Sequence, residues 1–292
     1  MTQIRARRLA TFEQSIPLSD ENPFWMHAGH QLSDRPIRQL HVHQCLEIGY
    51  CHGGNGIFMI ADKVRTFRDE DTVIIPASEP HFARSAPGTT SEWTWMHFDP
   101  VRSFPPGWVE PEWSDTAGLI SPDFPNVFTV NQHPGFANAA RQLAEELGRD
   151  AVGVRVVARA LALQLLVQAH RQRPASHDAG GSQHSTDYQR LAPALQILIE
   201  DYARPLRIRE LARRCALSDA QFRRVFRQTM KTSPLCYLHD LRVRTAASLL
   251  RGTSKSVLEI SLEVGFESVS SFHRAFRDRM SASPRAWRRS AE

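Results

Sequence analysis

The sequence predicts an α+β protein in two parts: an N-terminal antiparallel β-barrel with helices, then an all-α domain of two helix-turn-helix units. Three observations predict it. Residues 38–99 hold short β-rich runs separated by turn residues. Residues 136–170, and most of the chain after residue 191, show helical apolar spacing instead. Finally, the stretch from Leu206 to Arg289 says one thing twice. Its first half reads Glu210-Leu211-Ala212, Ala216-Leu217-Ser218, Phe222-Arg223-Arg224-Val225-Phe226-Arg227 and Ser233-Pro234. Its second half reads Glu259-Ile260-Ser261, Gly265-Phe266-Glu267, Phe272-His273-Arg274-Ala275-Phe276-Arg277 and Ser283-Pro284. The offset is 49 residues at the start, from 211 to 260, and 50 at the second phenylalanine pair, from 226 to 276. Each copy is a short helix, a tight turn and a second helix with Phe-x-x-x-Phe inside and Arg outside. In that layout the second helix enters the DNA major groove.

Taken in order, residues 1–35 read as irregular, with Pro17, Pro23 and Gly29. The strand candidates are Gln39–Cys51, Ile57–Ala61, Val64–Phe67, Thr72–Ile75, His81–Ser85 and Glu92–Phe98. Gly53-Gly54-Asn55-Gly56 reads as a hairpin turn, and Ile75-Pro76 ends a strand. Residues 100–134, rich in Pro and Trp, read as a loop or cap. Phe136–Gly148 puts Phe136, Ala140, Leu143, Ala144 and Leu147 on one helix face, while Val152–His170 is apolar over a wider arc and needs two partners. Arg171–Asp187 has no apolar residue beyond Ala and reads as a flexible linker. Leu191–Tyr202 is a helix leading into the repeat, and Pro234–Leu250 joins the two copies. A rod of that length, roughly 25 Å, can hold two recognition helices near the ~34 Å separation of successive major grooves. The division is therefore 1–135, 136–172, 173–187 and 188–292, with helix-turn-helix units at about 208–229 and 257–280.

Composition supports this division. A chain of 292 residues, 41% hydrophobic, has room for two domains with their own cores. Residues 188–292 hold 20 Lys and Arg against 10 Asp and Glu, whereas residues 1–187 hold 16 against 21. The basic half suits a polyphosphate partner. Cys45, Cys51, Cys215 and Cys236 form neither a C-x-x-C pair nor a zinc-finger spacing, and free thiols suit the cytosol. The basic start, Met1 to Arg8, lacks an apolar stretch and is not expected to be a signal peptide. Val152–Ala169 is interrupted by Arg155, Arg159, Gln164 and Gln168, so no membrane partner is expected and a cytoplasmic location is.

The repeated stretch resembles the AraC/XylS family of bacterial transcription regulators. It does so through Tyr237-Leu238, Arg242, Ala246, Leu249-Leu250, Ile260, Gly265-Phe266, Phe272, Arg274, Phe276 and Pro284. The resemblance implies an effector-sensing domain over residues 1–135 with an N-terminal arm over its pocket, and dimerisation helices at 136–172. It also implies double-stranded DNA, a small-molecule effector and a second copy of the chain as partners, with RNA polymerase added if the protein is an activator. Three glycines usual in the family are missing: Ala216, Lys231 and Ser281 stand in their places. The helices are expected to end there all the same, at a cost on the order of 1 kcal/mol per left-handed residue. Ser261, where the family has Ala, is a minor change.

On the first recognition helix the outward residues are Asp219, Ala220, Gln221, Arg223, Arg224 and Arg227; on the second they are Val269, Ser270, Ser271, His273 and Arg274. By the family pattern, Ala220, Arg223 and Arg224 fall where base and phosphate contacts are made. Arg223 is expected to read bases, because its guanidinium matches guanine O6 and N7. Arg224 and Arg274 are expected to meet the backbone or to pack.

Within the β-rich region, His41-x-His43-x-x-x-Glu47 followed after six residues by Gly54 resembles the first motif of the cupin superfamily. Pro76-Ala77-Ser78-Glu79-Pro80-His81 resembles the second, with Ser78 in place of Gly and with Arg35 and Asp71 near the places of two opening glycines. His41, His43 and Glu47 share parity, so an unbroken strand sends them to one face, with Cys45 beside them. The second motif would return His81 to that face. These four residues and Trp95 are the candidate effector-binding residues, and His97 belongs either to the pocket or to the core. Three imidazoles and a carboxylate could hold Zn, Fe, Mn or Ni, but a polar effector pocket is the stronger expectation, and neither a metal nor a cofactor is expected. Three readings of the chain stand. One is an effector-controlled, sequence-specific DNA-binding regulator. Another is a metal-dependent cupin enzyme or metal sensor carrying a DNA-binding domain. The third is an architectural protein whose first domain only dimerises. The repeat favours the first, under which the chain is not an enzyme.

Overall fold

The computed structural model describes residues 10–35, 39–61, 63–104, 107–121, 123–173, 184–230 and 232–289. The strands are β1 (Ala10–Glu13), β2 (Phe24–Ser33), β3 (Gln39–Val42), β4 (Leu46–Gly53), β5 (Asn55–Ile60), β6 (Lys63–Arg68), β7 (Thr72–Ile75), β8 (His81–Ser85), β9 (Thr90–Phe98) and β10 (Val127–Phe128). They form two five-stranded sheets, in the orders β1-β3-β8-β5-β6 and β10-β7-β4-β9-β2. β1 runs parallel to β3, and the other pairs are antiparallel.

The two sheets do not close into the expected barrel. Among the described residues no ladder joins one sheet to the other, and β1, β6, β10 and β2 are edges. Three further expectations change with this. Residues 24–33, expected to be irregular, form the ten-residue strand β2. The single run Gln39–Cys51 breaks at His43–Cys45, so that β3 lies in one sheet and β4 in the other. Gly53–Gly56 is not a hairpin turn, because β4 and β5 do not pair; Gly54, at φ 96°, carries the chain from sheet to sheet. A Cβ on Gly54 would run into the Thr90–Ser91 backbone, so only glycine makes this crossing.

Side chains alternate across each strand, and each sheet therefore serves two cores. Phe58, Phe67, Trp93 and Trp95 fill the space between the sheets, with Trp93 and Trp95 stacked at 4.8 Å. The outer face of the second sheet, with Leu46, Ile48, Ile74 and Met96, is covered by α3 (Pro134–Leu147) and α4 (Val154–Arg171). Residues 100–119, expected as loop or cap, include the one-turn helices α1 (Pro100–Ser103) and α2 (Pro111–Ser114). No helix among the described residues is long and apolar enough to cross a membrane. Most of the expected linker, residues 174–183, lies outside the described residues.

The C-terminal part consists of α5 (His184–Glu200), α6 (Ile208–Arg214), α7 (Asp219–Met230), α8 (Pro234–Gly252), α9 (Val257–Glu263), α10 (Val269–Met280) and α11 (Pro284–Arg289). The duplication is real: α6–α7 and α9–α10 are the two helix-turn-helix units, with Phe222, Phe226, Phe272 and Phe276 fully buried. α8 separates them, and its 19 residues make a rod of roughly 28 Å. Arg242 on α8 reaches back to donate to the carbonyls of Tyr202 (2.7 Å) and Arg204 (3.0 Å), tying α5 to α8. Both copies turn through a left-handed residue, Ala216 at φ 53° and Gly265 at φ 90°, and α10 ends on Ser281 at φ 53°. Non-glycine residues thus adopt the strained conformation at two of the three departures from the family pattern, while Lys231 lies outside the described residues.

The two turns are not equivalent. A Cβ on Gly265 would collide with the Ala203 carbonyl oxygen, whereas Ala216 already accommodates its own Cβ on an exposed turn. Gly265→Ala should therefore destabilise the protein by more than about 2 kcal/mol. Ala216→Gly should stabilise it by at most about 1 kcal/mol. Thermal unfolding followed by circular dichroism checks both, and equal effects at the two turns would refute the distinction.

Candidate functional site

Two sites emerge, one between the sheets and one on the helical domain. The first is assembled across the sandwich from three strands and a connecting segment. His41 on β3 and His81 on β8 are register partners in the first sheet, with ring centroids 4.1 Å apart. Glu47 on β4 faces them from the second sheet, and His43 sits in the segment between β3 and β4. One donor atom from each of the four residues lies within 4.8 Å of all the others. The common parity of His41, His43 and Glu47 therefore gave the right convergence for a different reason: the strand is broken, and the two facing sheets supply the common side.

The Glu47 carboxylate, only 4% exposed, is the centre of the group. Its Oε2 lies 2.8 Å from His81 Nε2 and 3.2 Å from His43 Nε2, while Oε1 lies 3.7 Å from His97 Nε2. His97 is Glu47's register partner on β9. Burial opposes ionisation of Glu47, but His81, His43 and His97 together hold its pKa well below the usual range. Burial lowers His41 to about 3 and His97 to about 4, so both are neutral bases near pH 7. Burial also pulls His43 down, but the neighbouring Glu47 outweighs it and raises His43 overall.

Two rings are locked from behind. Nδ1 of His43 meets the Gln14 carbonyl at 3.1 Å, and Nδ1 of His81 meets the Glu79 carbonyl at 2.8 Å. A carbonyl only accepts, so both rings carry a proton on Nδ1 and turn Nε2 toward Glu47. Glu47 Oε2 and His81 Nε2 meet each other at 2.8 Å.

The His81 side of the cluster rests on a second buried network. Lys63 donates to Glu79 Oε1 at 3.3 Å and to the Ser121 carbonyl at 2.9 Å. Asn126 donates to Glu79 Oε2 at 3.3 Å and to the Ile74 carbonyl at 2.9 Å. Ser78, where the motif has Gly, takes a left-handed φ of 64°. Trp95, the remaining candidate, stands over Gly49 in the aromatic core, stacked on Trp93. The residue types gave no signal for Gln14, which acts through its main chain, or for Lys63. Glu79 stood inside the second motif and was legible as a neighbour of His81.

On the helical domain, Ala220, Gln221, Arg223, Arg224 and Arg227 of α7 are exposed, as are Ser270 and Arg274 of α10. Val269, Ser271 and His273 are half-buried. Two of the outward side chains have local work. Gln221 closes a capping box with Ser218. Ser271 donates to the Ser268 carbonyl at 2.8 Å. Arg223, Arg224 and Arg227 of α7 and Arg274 of α10 give this surface its exposed positive charge.

Comparison with known proteins fits both halves. A family model described as a helix-turn-helix domain matches residues 211–290, and one described as an AraC-like ligand binding domain matches residues 30–166. The chain is 28% identical over 166 residues to the HTH-type transcriptional regulator MtrA of Neisseria gonorrhoeae, covering 56% of this chain and 55% of that protein. It is 44% identical over 80 residues to the HTH-type transcriptional regulator CdhR of Pseudomonas aeruginosa, covering 27% of this chain and 24% of that one. The chain thus spans about half or less of the length of these curated relatives. A solved transcriptional regulator with an AraC-type DNA-binding domain, from Chromobacterium violaceum, is 30% identical, covering 37% of this chain and 96% of that chain with a TM-score of 0.35.

The buried Lys63–Glu79 pair generates a test of the support beneath His81. Lys63→Met strands a carboxylate that is 4% exposed and should cost about 3–5 kcal/mol. Adding Glu79→Leu removes the stranded charge and should recover much of that loss. Urea unfolding of the three proteins checks this, and a double variant no more stable than the single one would refute it.

Proposed function

This chain belongs to the AraC family of transcriptional regulators, and we propose on that footing that it reads specific DNA sequences under the control of a ligand held between its two sheets. The DNA-binding part is the duplicated helix-turn-helix, carried on a strongly basic domain with Arg223, Arg224 and Arg227 outermost on α7. The observation that carries the ligand half is the convergence of His41, His43, His81 and Glu47 between the sheets, beside an aromatic cluster. Buried polar groups left without partners cost stability, and their persistence supports a use in binding.

α4 supports assembly of two copies. It turns Ala158, Ala162, Leu165 and Leu166 inward, but leaves Val156 and Val157 exposed at 56% and 44%, with Val152 exposed on the turn before it. A second copy is the occupant we propose for this face, and two copies would present four helix-turn-helix units to paired half-sites.

Selection of bound duplexes from random sequence with the full chain should yield a defined motif. Arg223→Ala should then cost about 1–3 kcal/mol and relax preference at one or two positions; uniform weakening on all sequences would make Arg223 a phosphate contact instead. Val156→Glu with Val157→Glu should give folded monomers in analytical ultracentrifugation, and an unchanged dimer would remove this face from the interface.

A further inference from the structure

We propose that His27 and His30, on the edge strand β2, form a two-histidine chelate for a divalent transition-metal cation of the Cu²⁺, Ni²⁺ or Zn²⁺ class. The site lies at the open edge of the sandwich, apart from the buried group around Glu47. It stands independently of the regulatory reading above, and no metal is expected at these residues from sequence.

Residues three apart on an unbroken strand point to opposite faces, so these two side chains should not meet. A bulge brings them together. His27 is the register partner of Trp95 and His30 of Trp93, so three steps along β2 match two along β9. The extra residue is accommodated around Gly29, whose φ of 70° is the left-handed conformation that glycine adopts readily. Bulges at sheet edges re-aim side chains in this way. Trp93 and Trp95 stack on one face of β9, and the bulge puts both histidines on that same face. A bulge also guards an edge strand against pairing with a foreign strand. That role asks nothing of the side chains and does not account for two imidazoles meeting.

The ring geometry suits an ion. The Nδ1 atoms of His27 and His30 lie 3.4 Å apart. This is long for a hydrogen bond between two rings, whereas donors ~2.1 Å from a tetrahedral ion stand about 3.4 Å from each other. The ring planes are 65° apart, so the rings splay around the gap rather than stacking across it. Trp25 lies 6.0 Å from His27, and Trp95 meets His30 edge-on at 6.4 Å, flanking the pair. Burial, and after it His27, pull the His30 pKa below its ordinary value, which leaves that ring a free base near pH 7. His27 is exposed and His30 half-buried, so an ion reaches both from solvent. Imidazole donors suit Cu, Ni and Zn, and the remaining coordination positions fall to water or a small chelating molecule.

The test uses the full chain purified without a metal-affinity tag and stripped with chelator, in a Cys236→Ser background that removes an exposed thiol. Cu²⁺ is the probe, because nitrogen sites bind it most tightly among these ions. The parent should hold one more Cu²⁺ per chain than the variant carrying both His27→Gln and His30→Gln. The paramagnetic resonance spectrum of that extra ion should show coupling to two imidazole nitrogens. Each single variant should weaken it at least 10-fold, and the double variant should be no weaker than either single one, because a chelate is lost with its first arm. In the parent itself, sub-stoichiometric Cu²⁺ should broaden the His27 and His30 imidazole resonances before any others, a readout that needs no folded variant. Equal copper in parent and double variant, or earlier broadening elsewhere, overturns the site. Loss in one single variant with the other unchanged reduces it to a lone histidine and overturns the chelate.

Discussion

The constraint on which the rest of this molecule depends is the alternation of side chains along the first sheet. β3, β5, β6 and β8 are short, yet each contributes to two environments at once. Inward they carry His41, Phe58, Phe67 and His81; outward they carry Leu40, Ile57, Met59, Val64 and Phe82. A strand has no third direction, so whatever displaces an inward residue is felt one residue away on the opposite face. The second sheet has the same construction, but its outer face is closed by helices of its own domain, α3 and α4. Among the described residues it is the first sheet that packs against the helices of the C-terminal part.

The cluster also shows how a buried carboxylate can persist. Glu47 has no arginine or lysine in ion-pair contact among the described residues; it is surrounded by imidazoles at 2.8–3.7 Å. Its charge is tolerated because three rings share it, while burial drives His41 and His97 toward neutrality. A few ångströms away the Lys63–Glu79 pair solves the same problem in the ordinary way, with an ammonium and an amide as partners. The two buried acids differ in their partners: an ammonium and an amide meet Glu79, and imidazoles meet Glu47.

Much of this was legible in the sequence. The repeat gave α6–α7 and α9–α10 with their turns and buried phenylalanines, because a motif said twice at a fixed offset cannot easily arise from chance periodicity. The H-x-H-x-x-x-E and Pro-x-x-Glu-Pro-His patterns gave the four clustered residues. What stayed hidden is non-local. The break at His43–Cys45 and the sheet change at Gly54 look, in one dimension, like a continuous strand and a hairpin. β2 was obscured by the prolines before it and by a half-polar pattern. The Gln14 carbonyl behind His43 belongs to the main chain, which has no residue signature. The covering of Leu40, Ile57 and Phe82 by α5 and α8 depends on a pairing between distant segments that composition does not encode.

α8 repays a last look in this light. It spaces the two recognition helices, takes Arg242 back to the end of α5, and lies on β5 and β6 with Ser248 against Asn55 and Gly252 so close to that side chain that a Cβ would strike it. A helix with so little free surface belongs to both halves of the molecule. The linker is therefore a boundary in the sequence but not in the folded unit. A chimera grafting these helix-turn-helix units onto a foreign sensor would inherit a bare apolar flank on α5 and α8, and a modular exchange of domains would have to carry β3, β5, β6 and β8 with it.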